Sequence, residues 1–372
     1  MEIKEVVIYP LEMKLNTPFV TSFSRVETKT VIAVKVETTN GIVGWGEGVA
    51  FNDPSYTEET AATTVHVLKE FLAPMLIGKK LTHPDEVNEL LAPIRRNNMA
   101  KAAIECAVWD IYSKQQQLPL WQVFGGEKTT VEVGASIGIY DDEATLFEVI
   151  ERRLVEGYKR IKVKIKPGKD VEIIRAIRKR FGNIGLMADA NSSYTLADLP
   201  ILKQLDQFHL QMIEQPLAYN DFAQHAILQK ELQTPICLDE SITSLADMET
   251  AVALGSCQIV NVKLARVGGL TEAKRIHDYG KKYGIQMWCG GMLEAGIGRA
   301  HAIALATLSE FTYPSDLGAS KNYWAEDLIE PEVEVVDGVI QVKQQTGIGY
   351  FVKSAWIKEK AINCIRISHR FQ

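Results

Sequence analysis

The spacing of apolar residues divides the chain into two parts. In the first part, an apolar stretch covers residues 3–9, and two alternating runs over 31–36 and 42–45 flank the turn sequence Thr38-Thr39-Asn40-Gly41. Asn-Gly between two alternating runs is a strong signal for a β-hairpin. The pattern predicts an α+β domain over residues 1–130, with helical spacing at roughly 57–72, 84–92 and 97–116.

From about residue 131, short apolar runs alternate with amphipathic helical patterns, which is typical of parallel βα units. There are eight such runs, over 131–139, 161–165, 184–188, 210–213, 235–238, 258–262, 285–288 and 311–314. Helical patterns lie between them near 143–156, 170–180, 195–206, 220–232, 243–254, 270–283 and 296–309. We therefore predict a (β/α)₈ barrel over residues 131–318. Residues 319–372 contain a further hairpin pattern at 333–342, and we expect this segment to rejoin and complete the N-terminal capping domain.

Composition and charge narrow the class of protein. The chain has 372 residues, of which 46% are hydrophobic and 24% charged, as in ordinary globular proteins with more than one core. Lys and Arg number 41 against 47 Asp and Glu, and the net charge of −6 argues against a nucleic-acid or membrane partner. The five cysteines form no C-x-x-C pair, and there is no pattern of a signal peptide or membrane span. We expect a cytoplasmic homo-oligomer that acts on a small molecule.

Three acidic residues close successive apolar runs. Asp189, Glu214 and Asp239 end the third, fourth and fifth runs at equal intervals of 25 residues (189 to 214 and 214 to 239). Barrel enzymes build their sites at the C-terminal ends of strands, so these carboxylates should converge. Because unpaired acids repel one another, a bound cation is expected, and oxygen ligands favour Mg²⁺ or Mn²⁺ over zinc. Helix N-capping is the alternative for any one of the acids, and their equal spacing favours the metal site.

Lysines end two other runs. The second run alternates basic and β-branched residues over 160–166, which places Lys162 and Lys164 on one face of a strand. That face should be the barrel lumen, although a solvated basic face is the alternative for a strand taken alone. Lys263 ends the sixth run, roughly opposite Lys164 by strand count. A lysine acts as a base when its pKa falls, and we expect crowding by Lys162, the bound cation and burial to lower the pKa of Lys164. Arg266 is expected to act on Lys263 in the same way.

Lys-x-Lys, then Asp, Glu and Asp, then a single Lys at successive strand ends resembles the muconate-lactonizing-enzyme subgroup of the enolase superfamily. The resemblance spans nearly the whole chain. Its finer motifs are similar to those of the branch that contains o-succinylbenzoate synthases and N-succinylamino acid racemases: Ile161-Lys162-Val163-Lys164, Ala188-Asp189-Ala190-Asn191, Ile213-Glu214-Gln215-Pro216, Leu238-Asp239-Glu240-Ser241 and residues 261–269.

The resemblance implies a role for each of these residues. Lys164 and Lys263 would be the acid/base pair, Lys162 would support them, and the three acids would bind Mg²⁺, which Mn²⁺ could replace. The N-terminal segment 18–23 resembles a loop that closes over substrate, and residues 291–294 resemble the seventh-strand loop. The substrate-binding residues implied in this way are Phe19, Phe23, Tyr56, Ser136, Asn191, Arg266, Gly291, Met292 and Glu294.

The same resemblance implies proton abstraction next to a carboxylate, through an ene-diolate that Mg²⁺ stabilises. The leading activity is Mg²⁺-dependent syn-dehydration of 2-succinyl-6-hydroxy-2,4-cyclohexadiene-1-carboxylate by an o-succinylbenzoate synthase of menaquinone biosynthesis. The alternative activity is racemisation of N-succinylamino acids. Muconate cycloisomerase, dipeptide epimerase and a non-catalytic barrel are more distant alternatives, and Asp316-Leu317-Gly318 departs from the Asp-x-Asp of dipeptide epimerases.

Overall fold

The computed structural model describes residues 1–20, 25–140 and 142–368. It begins with three antiparallel strands, β1 (Ile3–Val20), β2 (Arg25–Thr38) and β3 (Val43–Gly48). The hairpin predicted around Asn40-Gly41 is confirmed, because β2 and β3 pair from Ile32 with Gly48 to Glu37 with Val43. Gly41 adopts a φ of 82° in the turn, which suits a residue without a side chain.

Helices cover one face of this sheet. They are α1 (Ala61–Val67), which continues through a π-helical turn (Leu68–Leu72) into α2 (Ala73–Leu76), then α3 (Asp85–Leu91) and α4 (Asn98–Gln115). The short α5 (Leu120–Val123) follows, and its buried residues belong to the core that includes the barrel. The first helix begins at residue 61 rather than at 57, because Thr60 and Thr63 form a reciprocal capping box. Helix α4 lies directly on β3, and the absence of side chains at Gly44 and Gly46 allows its backbone to approach there.

Parallel strands form the second part of the chain. A seven-stranded sheet has the order β11-β10-β9-β8-β7-β6-β5. Strand β4 (Thr130–Glu132) precedes it, and the sheet strands are β5 (Gly134–Ile137), β6 (Arg160–Lys164), β7 (Leu186–Asp189), β8 (Ile213–Glu214), β9 (Ile236–Leu238), β10 (Ile259–Val262) and β11 (Gln286–Cys289). The connecting helices are α6 (Glu143–Val155), α7 (Val171–Phe181), α8 (Leu199–Leu205, between the 3₁₀ turns Leu196–Asp198 and Asp206–Phe208), α9 (Phe222–Glu231), α10 (Leu245–Leu254), α11 (Leu270–Tyr283) and α12 (Gly296–Ala306).

The eighth predicted run closes the barrel without forming a regular strand. Phe311 bridges Met287 of β11 in parallel, and Ser315 bridges Val133 next to β5. Gly134 N also donates to Ser315 O at 2.9 Å. The ring of backbone pairing is therefore complete, as the predicted (β/α)₈ architecture requires. The first predicted run was wrong in its extent, because it divides between β4, which pairs outside the barrel sheet, and β5.

The C-terminal residues contact both parts of the chain. They form a 3₁₀ turn (Ser320–Asn322), β12 (Ile329–Glu330), β13 (Val339–Gln341), β14 (Phe351–Val352), α13 (Ser354–Lys360) and β15 (Ile365–Ser368). The hairpin pattern predicted at 333–342 turns at Asp337-Gly338, where Val336 bridges Val339, but β13 pairs with β4 at the foot of the barrel. Strand β15, which the apolar pattern did not identify, is the one that pairs with β1.

Buried acids join the two parts. Glu105 of α4 is fully buried, and its carboxylate accepts hydrogen bonds from the backbone N–H groups of Leu270 and Thr271, both at 2.9 Å. It also accepts from the indole of Trp109 at 2.8 Å. A carboxylate at this place satisfies the free N–H groups at the start of α11 and interacts favourably with the helix dipole.

Among the described residues, none of the helices has the length and apolar character needed to cross a bilayer.

Replacing Glu105 by Ala should destabilise the fold strongly. The change leaves the amides of Leu270 and Thr271 and the indole of Trp109 without their buried acceptor, so we expect the free energy of unfolding to fall by about 3 kcal/mol. Chemical denaturation followed by circular dichroism measures the difference. Glu89→Ala, at an exposed position of α3, is the matched control and should change the free energy by less than about 0.5 kcal/mol. Equal denaturation midpoints for the two variants would contradict this role.

Candidate active site

The predicted acids and lysines lie at adjacent strand ends. In the parallel register, Lys164 of β6 is paired with Asp189 of β7, and Asp189 with Glu214 of β8. Asp239 follows β9 directly, and Lys263 follows β10. The three carboxylates are 1% exposed or less, so they face the barrel interior and not solvent. The structure therefore brings together all the residues that the equal spacing had singled out.

The two alternatives left open by the sequence do not fit the structure. The N-cap residues of the helical segments that follow β7, β8 and β9 are Thr195, Asp221 and Ser244, and each lies several residues beyond the acid of its strand. The side chains of Lys162 and Lys164 are 5% and 7% exposed, so their face of β6 is not a solvated surface.

Each carboxylate contacts at least one cationic side chain. Lys164 Nζ lies 2.6 Å from Asp189 Oδ2, and Lys162 Nζ lies 3.2 Å from Glu214 Oε2. Lys263 Nζ lies 2.9 Å from Asp239 Oδ2, and the guanidinium of Arg266 pairs with the other oxygen of Asp239. Buried charges are tolerated only when paired in this way, so each of the three adjacent acids has a basic partner at the mouth of the barrel.

Sequence reasoning missed several members of this network. Asp316 accepts from Lys162 Nζ at 2.6 Å and also pairs with Arg160. Asn261 Nδ2 donates to Glu214 Oε1 at 2.7 Å. The signal was present in both cases, because Asp316 lies just beyond the eighth apolar run and Asn261 is a polar residue inside the sixth.

A second chain of contacts supports Lys164. Its Nζ donates to Asn191 Oδ1 at 2.6 Å, and Asn191 Nδ2 donates to Glu240 Oε1 at 3.0 Å. Asn191 was predicted as a substrate-binding residue, and Glu240 appeared in the sequence only as the neighbour of Asp239. The contacts place Asn191 between the lysine and a buried acid, where it fixes the direction of the ammonium group.

The lowering of the pKa expected at Lys263 is outweighed by the acids around it. Burial lowers the pKa of Lys263, but Asp239 and its neighbours outweigh burial, and the pKa rises above its ordinary value. Burial also lowers the pKa of Lys162, and Asp316 with two further acids raises it well above the ordinary value. Arg266 acts on Lys263 in the expected direction, but by less than Asp239 does. Such a lysine becomes a base only when another cation takes over its carboxylate partner.

The donor set fits a hard divalent cation. Asp189, Glu214 and Asp239 offer carboxylate oxygens alone, which suit Mg²⁺ or Mn²⁺. Burial raises the pKa of Glu214 to about 8, and repulsion from the charge of Asp189 adds to this rise. Asn261 Oδ1 and Glu240 Oε2 are buried without a hydrogen-bond partner among the described residues. Among the described residues, no three His, Cys, Asp or Glu side chains are already grouped closely enough to hold a metal ion.

A cavity of about 810 Å³, including its opening to solvent, lies above these strand ends. Its walls include the three lysines and Asp189, together with the part of the N-terminal domain around Phe51 and Ser55. The predicted substrate-binding residues that line it are Tyr56, Ser136, Asn191, Gly291, Met292 and Glu294. Because both domains contribute walls, the cavity exists only when the N-terminal domain is seated on the barrel.

Three predicted substrate-binding residues lie outside the cavity lining or outside the described residues. Arg266 is 2% exposed and lies behind the cavity wall, where it donates to Ile242 O at 2.9 Å and to Asn261 O at 2.7 Å. The backbone of Phe19 is paired with Val26 in the β1–β2 sheet, and its side chain lies outside the described part of the structure. Phe23 also lies outside the described residues.

Tyr56 connects the N-terminal domain to the far lysine. Its hydroxyl accepts from Lys263 Nζ at 2.8 Å and from the guanidinium of Arg266 at 2.9 Å, and lies 3.4 Å from Asp239 Oδ2. Burial and then the charge of Asp239 raise the pKa of Tyr56, so the group stays a neutral phenol. A neutral hydroxyl here orients Lys263 without adding charge.

Comparisons with known proteins agree with this geometry. Residues 3–125 match the mandelate racemase / muconate lactonizing enzyme N-terminal domain, and residues 145–356 match the enolase C-terminal domain-like family. An o-succinylbenzoate synthase of Geobacillus kaustophilus is 54% identical over 370 residues, covering 100% of this chain and 98% of the relative. An N-succinylamino acid racemase of Thermus thermophilus is 46% identical over 358 residues, covering 96% and 97%.

The fold also matches that of a solved structure closely. A crystal structure of an enolase superfamily member from Listeria innocua has a TM-score of 0.96 and 42% identity, and each chain covers 99% of the other. The family models together account for both the N-terminal sheet domain and the barrel. With acids and lysines at consecutive strand ends as the sequence had indicated, the chain belongs to the enolase superfamily, in its mandelate racemase / muconate lactonizing enzyme group.

Proposed function

We propose that this protein is an o-succinylbenzoate synthase, which converts 2-succinyl-6-hydroxy-2,4-cyclohexadiene-1-carboxylate into 2-succinylbenzoate and water in menaquinone biosynthesis. The observation that carries the proposal is the placement of Lys164 and Lys263 on opposite sides of one cavity, with three strands between them and carboxylates beside both. The full-length identity with a synthase of that name supports it.

The proposed reaction removes a proton and a hydroxyl group from the same face of the ring. Lys164 takes the proton from the carbon that bears the carboxylate, and the electron pair of that C–H bond enters the carboxylate as an ene-diolate. The pair then returns to the ring, the neighbouring C–O bond breaks, and the ammonium of Lys164 gives its proton to the departing hydroxyl, which leaves as water. Lys263 stays protonated and stabilises the negative charge from the other side.

The acids at the strand ends support this chemistry through a cation. Members of the enolase superfamily are in general Mg²⁺-dependent. We propose that Asp189, Glu214 and Asp239 hold Mg²⁺, which Mn²⁺ can replace. When bound, the ion supplies Lewis-acid stabilisation of the charge that develops on the substrate carboxylate. Lys162, held between Glu214 and Asp316, adds a fixed positive charge beside the same group.

Racemisation of N-succinylamino acids is the second candidate activity. Racemisation needs proton removal on one face of the α-carbon and proton return on the other, and the opposed Lys164 and Lys263 meet that requirement. The relative from Thermus thermophilus carries the name of that activity. A dipeptide substrate is disfavoured, because Asp316 is followed by Leu317-Gly318 and its carboxylate is engaged by Arg160 and Lys162.

A side-by-side assay decides between the two activities. We expect the purified protein to convert the cyclohexadiene substrate to 2-succinylbenzoate, which the change in ultraviolet absorbance follows, with kcat/KM above about 10⁴ M⁻¹s⁻¹. Polarimetry on N-succinyl amino acids measures racemisation in the same preparation. Racemisation without dehydration would assign the second activity instead, and the absence of both would show that the proposal is wrong.

Removal of divalent metal should abolish activity. We expect exhaustive EDTA treatment to stop turnover and Mg²⁺ or Mn²⁺ to restore it. Glu214→Gln and Asp239→Asn should lower kcat/KM by about a thousandfold or more, because they weaken metal binding. Asp278→Asn, at an exposed position of α11, is the matched control and should retain wild-type activity. Full turnover in excess EDTA would rule out the metal role.

The two lysines should separate the dehydration and racemisation mechanisms. Lys164→Ala should eliminate dehydration, and Lys263→Ala should lower it by a factor of about 10² to 10⁴. With N-succinyl amino acids in deuterated water, proton NMR should show each variant exchanging the α-proton of one enantiomer alone, and the enantiomer should differ between the two variants.

An exposed lysine provides the control for these variants. Lys274→Ala on α11 removes an ammonium group far from the cavity and should behave as wild type. Exchange of both enantiomers at the wild-type rate in Lys164→Ala would show that the base has been assigned to the wrong residue.

A further inference from the structure

Lys29 is a buried cation that takes no part in the proposed chemistry. It lies on β2 of the N-terminal domain and is 1% exposed. Its Nζ donates to Met292 O at 2.5 Å and to Leu293 O at 3.0 Å, and the centre of the Phe51 ring lies 5.1 Å away. The ammonium group thus reaches across the domain boundary to the loop that follows β11.

That loop needs an external donor. Leu293 has a φ of 53°, a left-handed conformation that is unfavourable for a branched side chain. Met292 and Leu293 are buried, so a carbonyl left without a donor there costs free energy. Glu294 Oε2 accepts from Met292 N at 2.6 Å on the barrel side. Lys29 completes the hydrogen bonding from the side of the N-terminal domain.

The three groups around the ammonium all belong to the cavity wall. Phe51, Met292 and Leu293 line the cavity that holds the catalytic lysines, whereas Lys29 lies behind them. Lys29 therefore contacts the wall from the back, on a part of the cavity that neither Lys164 nor the acids at the strand ends form.

A lysine at this position costs free energy that an apolar residue would not. Burial lowers the pKa of Lys29 to about 8, and the charges of Glu47 and Glu294 oppose that change. A methionine could occupy similar volume without desolvating a charge. The hydrogen bonds from Lys29 to the two loop carbonyls are interactions that an apolar residue cannot supply.

We infer that Lys29 is a positioning residue for substrate recognition, which fixes the wall formed by Phe51, Met292 and Leu293 around the part of the substrate remote from the reacting carbon. This inference rests on the proposed function of the same cavity. Lys29 acts on binding, because the wall it holds is separate from the lysines that transfer the proton.

Lys29→Met tests the inference, since it keeps the volume of the side chain and removes its donors. We expect KM to rise about tenfold or more, the equivalent of one lost charged hydrogen bond. We expect kcat to stay within about threefold of wild type, because the lysines proposed to transfer the proton are unchanged. Titration of the purified protein with 2-succinylbenzoate should show the same loss of affinity. Lys35→Met, on the same strand but bonded to Glu37 at the surface, is the matched control and should leave KM and kcat unchanged.

Lys29→Gln provides a second variant, because its amide keeps one neutral donor. Its KM should lie between those of wild type and Lys29→Met. Unchanged KM in a folded Lys29→Met protein, or a fall in kcat alone, overturns the inference. Failure of both variants to fold also overturns it, since Lys29 would then hold the domain boundary and not the pocket wall. Wild-type turnover, measured in the same series, tests the proposed function separately.

Discussion

Pairing between buried acids and buried bases is the constraint on which the mouth of the barrel depends. The ends of β7, β8 and β9 carry carboxylates, lysines of β6 and β10 flank them, and each of these charges would be costly to bury alone. Asp316 extends the same pairing to the eighth position of the barrel and joins it to Arg160, whose guanidinium lies 4.3 Å above the ring of Trp288. The charges are therefore coupled, so that a change in one alters the electrostatics of all the others.

The N-terminal domain is built into this arrangement. Glu105 lies at the start of α11, and Glu47 accepts from Ala295 N and Gly298 N, both at 2.7 Å, at the start of α12. Burial raises the pKa of Glu47 to about 7, although these backbone bonds and Lys29 oppose the change. The two helices capped in this way follow the strands that carry Lys263 and the seventh loop. Seating of the N-terminal sheet thus fixes two walls of the cavity.

The periodic part of the structure was predictable from the sequence. Strand residues alternate between two faces, and parallel strands recur at regular intervals, so local spacing alone placed the three acids and the lysines at one end of the barrel. The partners of those residues were harder to predict. Lys29 Nζ donates to Met292 O although the two residues lie 263 positions apart in the sequence, and no local pattern can predict such a contact.

The remaining errors have similar physical causes. Residues 131–139 were predicted to form one strand, but the segment divides into β4 and β5, which pair with different partners, β13 and β6. The resemblance implied that Arg266 binds substrate, but the turn after β10 directs its side chain behind the cavity wall, where it pairs with Asp239. The pKa of Lys263 was misjudged because the sequence does not show how closely Asp239 contacts its ammonium group.

The close approach of α4 to β3 has an evolutionary consequence. A side chain at Gly44 or Gly46 would meet the carbonyl oxygens of Ala107 and Ala103 in the middle of α4. That helix could yield only by moving Glu105 away from the barrel helix whose first turn it caps. Mutations at two glycines of a hairpin outside the candidate active site would therefore be removed by selection nearly as strictly as mutations of the lysines proposed to transfer the proton. In this fold, a residue far from the candidate active site can tolerate substitution as poorly as a residue inside it.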